Sequence, residues 1–143
     1  MPSEGRVLVI DDQPANVKII AKRLTVSGYE VLTATNGMDG IRLARESVPD
    51  VILLDIMMPE MDGYEVIKRL KQETETSGIP IALLTSLDST KDKVRGLDAG
   101  ADDFLTKPVN QIELVARIRS LTKLKRLQEE IRKAGDLTSP LTE

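Results

Sequence analysis

Cysteine, histidine and tryptophan are all absent from the 143 residues. Without cysteine the chain makes no disulfide and offers no thiolate, a composition that fits a reducing compartment. Without histidine it has no imidazole base, no nitrogen ligand for a metal and no histidine of its own to carry a phosphoryl group. Aromatic residues make up 2% of the chain, which leaves little to stack against a flavin ring. Basic excess is missing as well: 20 Lys and Arg stand against 23 Asp and Glu, for a net charge of -3. A nucleic-acid binder carries a basic footprint, so no nucleic-acid partner is expected. The longest apolar runs, such as Val7 to Ile10, fall far short of the roughly 20 residues that span a bilayer. MPSEGR, followed by four apolar residues and then acids, has no signal-peptide form. A cytoplasmic protein with no membrane association is expected.

The length suits one compact domain, able to bury roughly 68–70% of its unfolded surface. Five short aliphatic or β-branched runs, Val7–Ile10, Glu30–Ala34, Val51–Leu54, Pro80–Leu84 and Asp103–Thr106, alternate with segments of helical period. The first helix is expected to begin at Pro14, to carry Val17, Ile20, Ala21 and Leu24 on one face, and to stop at Gly28. The second carries Ile41, Ala44 and Val48 and ends before Pro49. Asp62 caps a third, with Glu65 three residues on as in a capping box and Val66, Ile67 and Leu70 turned inward. A fourth runs from about Ser89 to Asp98 and ends at Gly100. Strand-then-helix repeats imply right-handed crossovers, so the expected fold is an α/β sandwich: a five-stranded parallel sheet with helices on both faces. In such a sheet, ligands bind beyond the carboxyl ends of the strands.

In VILLDIMMPEMDG, four apolar residues lead to one carboxylate, Asp55, at the end of the third run. Asp11 and Asp12 follow the first run, Thr85 the fourth, and Lys107 the fifth. With strand order 2-1-3-4-5, the three acids meet at one edge. Two like charges about 4 Å apart repel by roughly 4 kcal/mol at an effective dielectric of 20, a large share of a domain's net stability. With no His or Cys, the fitting counter-ion is a hard cation on oxygen ligands, and few carboxylates with open positions suit Mg²⁺. Lys107 adds positive charge. The chemistry that uses such a set is phosphoryl transfer to a carboxylate, with Asp55 as nucleophile and Thr85 hydrogen-bonding the attached group. The chain has no Walker-type loop, so the donor is external.

VLVIDDQPANV, VILLDIMMPEMDG, IALLTS and DDFLTKP match, in order and spacing, the receiver domain of two-component response regulators, and the resemblance covers residues 5–122. It implies a flavodoxin-like fold and a phosphorelay partner, either a histidine kinase or a histidine phosphotransfer protein. By the same resemblance Asp55 is the phosphoacceptor and Asp11, Asp12 and Asp55 are ligands of Mg²⁺ (or Mn²⁺), with Met57 lending its backbone carbonyl. Thr85 looks like the switch hydroxyl, Lys107 like the phosphate-contacting lysine, Phe104 like the switch aromatic, and Lys107–Pro108 like the family's cis peptide. Met57 and Leu87, two positions after Asp55 and Thr85, are expected to tune hydrolysis. Single pieces of the pattern, such as a DD pair, a strand-end Thr or a KP dipeptide, are more often turn chemistry. Their joint register carries the reading. Asp102 and Asp103 read as solvated or capping residues, and Met58 as packing.

The face of helix 4, strand 5 and helix 5 mixes Lys91, Lys93, Arg95 and Asp98 with Glu113, Arg117 and Arg119, which suits reciprocal pairing in a homodimer. The last helix, capped by Asn110, carries Ile112, Val115, Ile118, Leu121, Leu124, Leu127 and Ile131. It is expected to span about 24 residues, roughly 36 Å. Residues 1–122 read as the receiver, 123–133 as a helical, linker-like extension, and 134–143 as a flexible tail. DFLTKPVNQIELVARIRSLTKLKRL is similar to the first receiver of regulators with a second receiver and a diguanylate cyclase domain. A stand-alone receiver acting by protein binding is the alternative. A flavin carrier lacks its phosphate-cradling loop here. A Mg²⁺-dependent phosphohydrolase would want an acid two residues after its nucleophile, where this chain has Met57. A degenerate scaffold would not keep the full acid, threonine and lysine set. The chain itself is not expected to be an enzyme.

Overall fold

Strand and helix alternate five times in the computed structural model, which describes residues 4–86 and 90–138. The elements are β1 (Arg6–Ile10), α1 (Pro14–Val26), β2 (Glu30–Ala34), α2 (Gly37–Ser47), β3 (Val51–Asp55), α3 (Gly63–Gln72), β4 (Ile81–Thr85), α4 (Thr90–Ala99), β5 (Asp103–Thr106) and α5 (Gln111–Thr138). The strands form one parallel sheet in the order β2-β1-β3-β4-β5, the flavodoxin-like topology expected.

The continuous apolar runs of the central strands are divided between the two faces by the two-residue strand period. Leu8, Ile10, Ile52 and Leu54 pack with Ile41 and Ala44 of α2 and Val66, Ile67 and Leu70 of α3. Val7, Val9, Val51 and Leu53 pack on the other face, with Ile20 and Leu24 of α1 and Leu114, Ile118 and Leu121 of α5. Every residue of β3 is buried, so Asp55 closes a strand that has no wet side.

Helix ends follow local chemistry. Pro14 opens α1, where its missing N–H costs nothing, and Gly28 at φ 99 turns the chain after it. Asn36 caps α2 by accepting from the Asp39 amide, and Asn110 caps α5 by accepting from the Glu113 amide. Asp62 caps α3 through the Glu65 amide at 3.0 Å, but only half of the expected capping box forms, because the Glu65 carboxylate turns to Arg69 at 3.1 Å.

Three expectations are corrected, and a fourth falls outside the described residues. Val48 does not join the buried face of α2: it caps the helix at φ 43 and stands exposed, with its amide bonded to Ala44 O. The fourth strand runs from Ile81 to Thr85, one residue later than expected. The expected start of helix four at Ser89 lies outside the described residues, as does Leu87; the described helix begins at Thr90. Finally, α5 is 28 residues long and continues to Thr138, so the first part of the segment expected as a flexible tail, from Ala134 to Thr138, is helical. The helix passes through Gly135, a residue whose cost in a helix interior is only about 1 kcal/mol.

Candidate functional site

β1 and β3 are neighbours, with Ile10 opposite Leu54. The residues at their carboxyl ends therefore arrive side by side. Asp11, Asp12 and Asp55 each offer a carboxylate oxygen, all within 4.8 Å of one another. Asp11 is wholly buried, Asp55 is 4% exposed and Asp12 is half-buried. The fourth member comes from the other side of the site. Thr85 pairs with Thr106 across β4 and β5, and the next residue, Lys107, donates its amide to Thr85 O at 2.8 Å. From there its ammonium reaches back to Asp55 Oδ1 at 3.2 Å and to Asp11 Oδ2 at 3.5 Å. The Lys107–Pro108 peptide is cis, as expected.

The hydrogen bonding within the cluster is incomplete. Asp11 Oδ1 accepts from the Gln13 amide at 3.0 Å, and Asp55 Oδ1 accepts from the Met57 amide at 3.3 Å. Asp11 Oδ2 is buried and, among the described residues, accepts no hydrogen bond; Lys107 stands near it as a charge only. Burial above all, and then the charge of Asp11, push the Asp55 carboxyl from the usual 3.8 up to about 6, against the pull of Lys107 and the Met57 amide. Among the described residues, three acids, one of them with a buried oxygen lacking a donor, face a single ammonium. This donor set fits a divalent cation with oxygen ligands.

Met57 contributes its amide to the site, and its side chain is 72% exposed. Met58 packs in the core, as expected. Thr85 is buried at the end of β4, its hydroxyl donating to Ser86 O over a long 3.4 Å. Phe104 lies opposite Leu83 in the sheet, half-buried against the α3 side of the core, with the Lys93 ammonium 4.6 Å from its ring centre. It is thus neither sealed in the core nor free of it. Asp102 accepts from the Ile81 amide, and Asp103 pairs with Arg117 at 3.2 Å; both serve strand ends, not the acid cluster.

Gly63, the first residue of α3, also belongs to the site. Its amide donates to Ile56 O at 2.9 Å, and a Cβ there would come within 2.8 Å of both Asp55 O and Ile56 Cα. The loop after Asp55 therefore folds back against the backbone of Asp55 itself. The DG dipeptide was the available signal, since a glycine just after an N-cap marks a close backbone approach as readily as a turn. Beside the acids a groove of about 470 Å³ opens, lined by Asn16, Ile19, Arg23, Lys107 and Pro108 among others.

Comparison with known proteins agrees with this geometry. Residues 7–119 match the family model described as the response regulator receiver domain. The chain is similar to response regulator PleD of Caulobacter vibrioides, 47% identical over 128 residues that make up 90% of this chain and 28% of that protein. It is similar also to the DNA-binding dual master transcriptional regulator RpaA of Synechocystis, at 43% identity over 82% of this chain and 49% of that protein. Protein PilH of Pseudomonas aeruginosa is 41% identical over 82% of this chain and 97% of its own length. The chain thus spans between about a quarter and a half of the first two relatives and nearly all of the third. Among solved structures, a response regulator of Chloroflexus aurantiacus superposes with TM-score 0.80 at 32% identity, covering 83% of this chain and 98% of that one. Chemotaxis response regulator CheY4 of Vibrio cholerae superposes with TM-score 0.76 at 32% identity, over 81% and 97%.

Proposed function

Because this chain belongs to the response regulator receiver family of two-component signalling, a regulatory module and not an enzyme, we propose that Asp55 accepts a phosphoryl group from a histidine kinase or histidine phosphotransfer protein. The observation that carries the reading is the cluster of buried Asp11 and Asp55 with half-buried Asp12, with Lys107 3.2 Å from Asp55. In the transfer, the phosphorus–nitrogen bond of the donor breaks as a bond to an Asp55 carboxylate oxygen forms, and the imidazole leaves. Lys107 stabilises negative charge on the transferred oxygens, and the Thr85 hydroxyl bonds the attached group. Asp11, Asp12 and Asp55, with the Met57 carbonyl, would hold Mg²⁺ or Mn²⁺, which when bound supplies positive charge against the phosphoryl oxygens. The groove beside Lys107 gives a donor its approach.

Phosphorylation then shifts a population: Thr85 moves toward phosphate, Phe104 turns inward, and the face formed by α4, β5 and α5 changes. That face is also where a two-fold homodimer would form. Part of its charge is already engaged within the chain, Arg117 with Asp103 and Lys93 over Phe104, so reciprocal pairing falls mainly to Lys91, Asp98, Glu113 and Arg119. Residues 123–133 continue α5 as a linker toward an output of the diguanylate-cyclase type. The partial coverage of PleD and RpaA supports a receiver within a longer regulator. The coverage of 97% of PilH supports the second reading, a stand-alone receiver acting through protein partners. Among the described residues no helix is long and apolar enough to cross a membrane, which fits a cytoplasmic address.

Intact mass after incubation with acetyl phosphate and Mg²⁺ tests the proposal. One added phosphoryl group is expected in the wild type and none in Asp55→Asn. Equal labelling of both proteins would remove Asp55 from its role.

A further inference from the structure

The helix α4 has little to hold it by burial. Gly96 is its one buried residue, Ala99 is half-buried, and Val94 and Leu97 stand about half exposed. At Gly96 the helix lies so close to the sheet that a Cβ would run into Leu83. The closeness leaves no side chain to lock the helix in place.

What grips α4 comes from aromatic residues of its neighbours. Two of the three aromatic side chains in the chain are spent on it: Phe104 lies under Lys93, and Tyr64 lies under Arg95, whose guanidinium is 4.0 Å from the ring centre. Tyr64 does more than stack. Its hydroxyl donates to the backbone carbonyl of Asp92 at 3.1 Å, and its ring edge lies 3.9 Å from where a Gly96 Cβ would be. Burial, together with Asp92, raises the pKa of this phenol above the usual 10, so it stays a donor.

At its other end Tyr64 is tied to the phosphoacceptor strand. It directly follows Gly63, whose amide bonds Ile56 O and where a Cβ would come within 2.8 Å of Asp55 O. A displacement of the Asp55 loop therefore reaches the Tyr64 backbone through two adjacent residues, and α4 through one hydroxyl. We infer that Tyr64 is a latch that holds α4 in its resting position and couples it to the Asp55 loop, separately from Thr85 and Phe104. The hold on α4 needs only this geometry; the coupling rests on the phosphoacceptor reading above.

Linkage gives the coupling a sign. If the Tyr64–Asp92 bond favours the resting position, a group that binds better to the shifted position must bind more tightly once the bond is removed. Tyr64→Phe removes the hydroxyl and keeps the ring. Amide hydrogen exchange and the affinity for beryllofluoride, used with Mg²⁺ as a phosphoryl mimic, are measured on the whole chain in both proteins. Exchange across Val94–Gly100 is expected to rise by about 2- to 10-fold, the worth of one neutral hydrogen bond, while α1 is unchanged. Beryllofluoride affinity is expected to rise by a similar factor. Wild-type exchange rates in α4 of the variant would overturn the latch. Faster exchange in α4 with unchanged beryllofluoride affinity would overturn the coupling. A wild type that does not bind beryllofluoride would overturn the phosphoacceptor reading, with the exchange comparison still deciding the latch.

Discussion

Gly63 has no room for a side chain, because both atoms a Cβ would strike belong to the backbone of Asp55 and Ile56. Neither can rotate away. Gly63→Ala should therefore destabilise by about 1–3 kcal/mol in urea unfolding, the usual cost of overpacking, and should also slow labelling of Asp55. A variant with wild-type stability would mean that the loop is loose. The reverse case is Val48, a β-branched residue held at φ 43 and 46% exposed. The left-handed region costs such a residue about 1–2 kcal/mol and costs Asn less. Val48→Asn is expected to raise stability by about 1 kcal/mol in the same assay, and a loss of stability would contradict the strain. Neither position was legible in its role. Val48 fitted the helical period of Ile41 and Ala44, and Pro49 marked where the helix stopped without revealing how the chain turned there. Asp11, Asp12, Asp55 and Lys107 were legible, because a polar residue at the carboxyl end of an apolar strand stands out against the run before it.

At the scale of elements, the parallel sheet and the inner faces of α1 and α3 followed from period and connection length, since a parallel strand needs a crossover and a crossover has a hand. The order of the strands was assumed, because period and hand leave it open. The period of α5 placed Ile112 inward, where it is 82% exposed and Leu114 is buried instead. Ends were harder to read. Gly28 and Gly100 stop their helices at positive φ, whereas Gly135 lies within one; identical residues differ in what the surrounding chain asks of them. The long α5 also divides in two. Ile118 is wholly buried against the sheet, and the Arg126 guanidinium still ties the helix to Glu4 O at 2.8 Å, but Ile131 is 71% exposed. Ile118→Ala is expected to cost about 2–5 kcal/mol by chemical denaturation. Ile131→Lys should stay within about 0.5 kcal/mol. A large cost at Ile131 would show that the projecting part of α5 is covered in solution.

For the whole molecule, the acid cluster makes stability depend on pH and on cations. The folded chain holds the Asp55 proton up to about pH 6, and the unfolded chain releases it near 3.8. The sign follows from this order: the contribution of protonated Asp55 is complete below about pH 4 and is lost as pH rises through about 6. The difference between the two values corresponds to at most about 3 kcal/mol, and Lys107 is the chain's own partial remedy. A divalent cation on Asp11, Asp12 and Asp55 would supply the rest, with wild-type stability rising as Mg²⁺ is added. Unfolding of wild type and Asp55→Asn, without metal across pH 4–8 and then with Mg²⁺, tests this most directly. The Asn variant should become the more stable of the two as pH rises, with the gap widening by up to about 3 kcal/mol between pH 4 and pH 7.5 and narrowing when Mg²⁺ is added. A wild type that remains the more stable at pH 7.5 without metal, with a gap indifferent to pH and Mg²⁺, would contradict the clustering of repelling acids on which the functional reading stands.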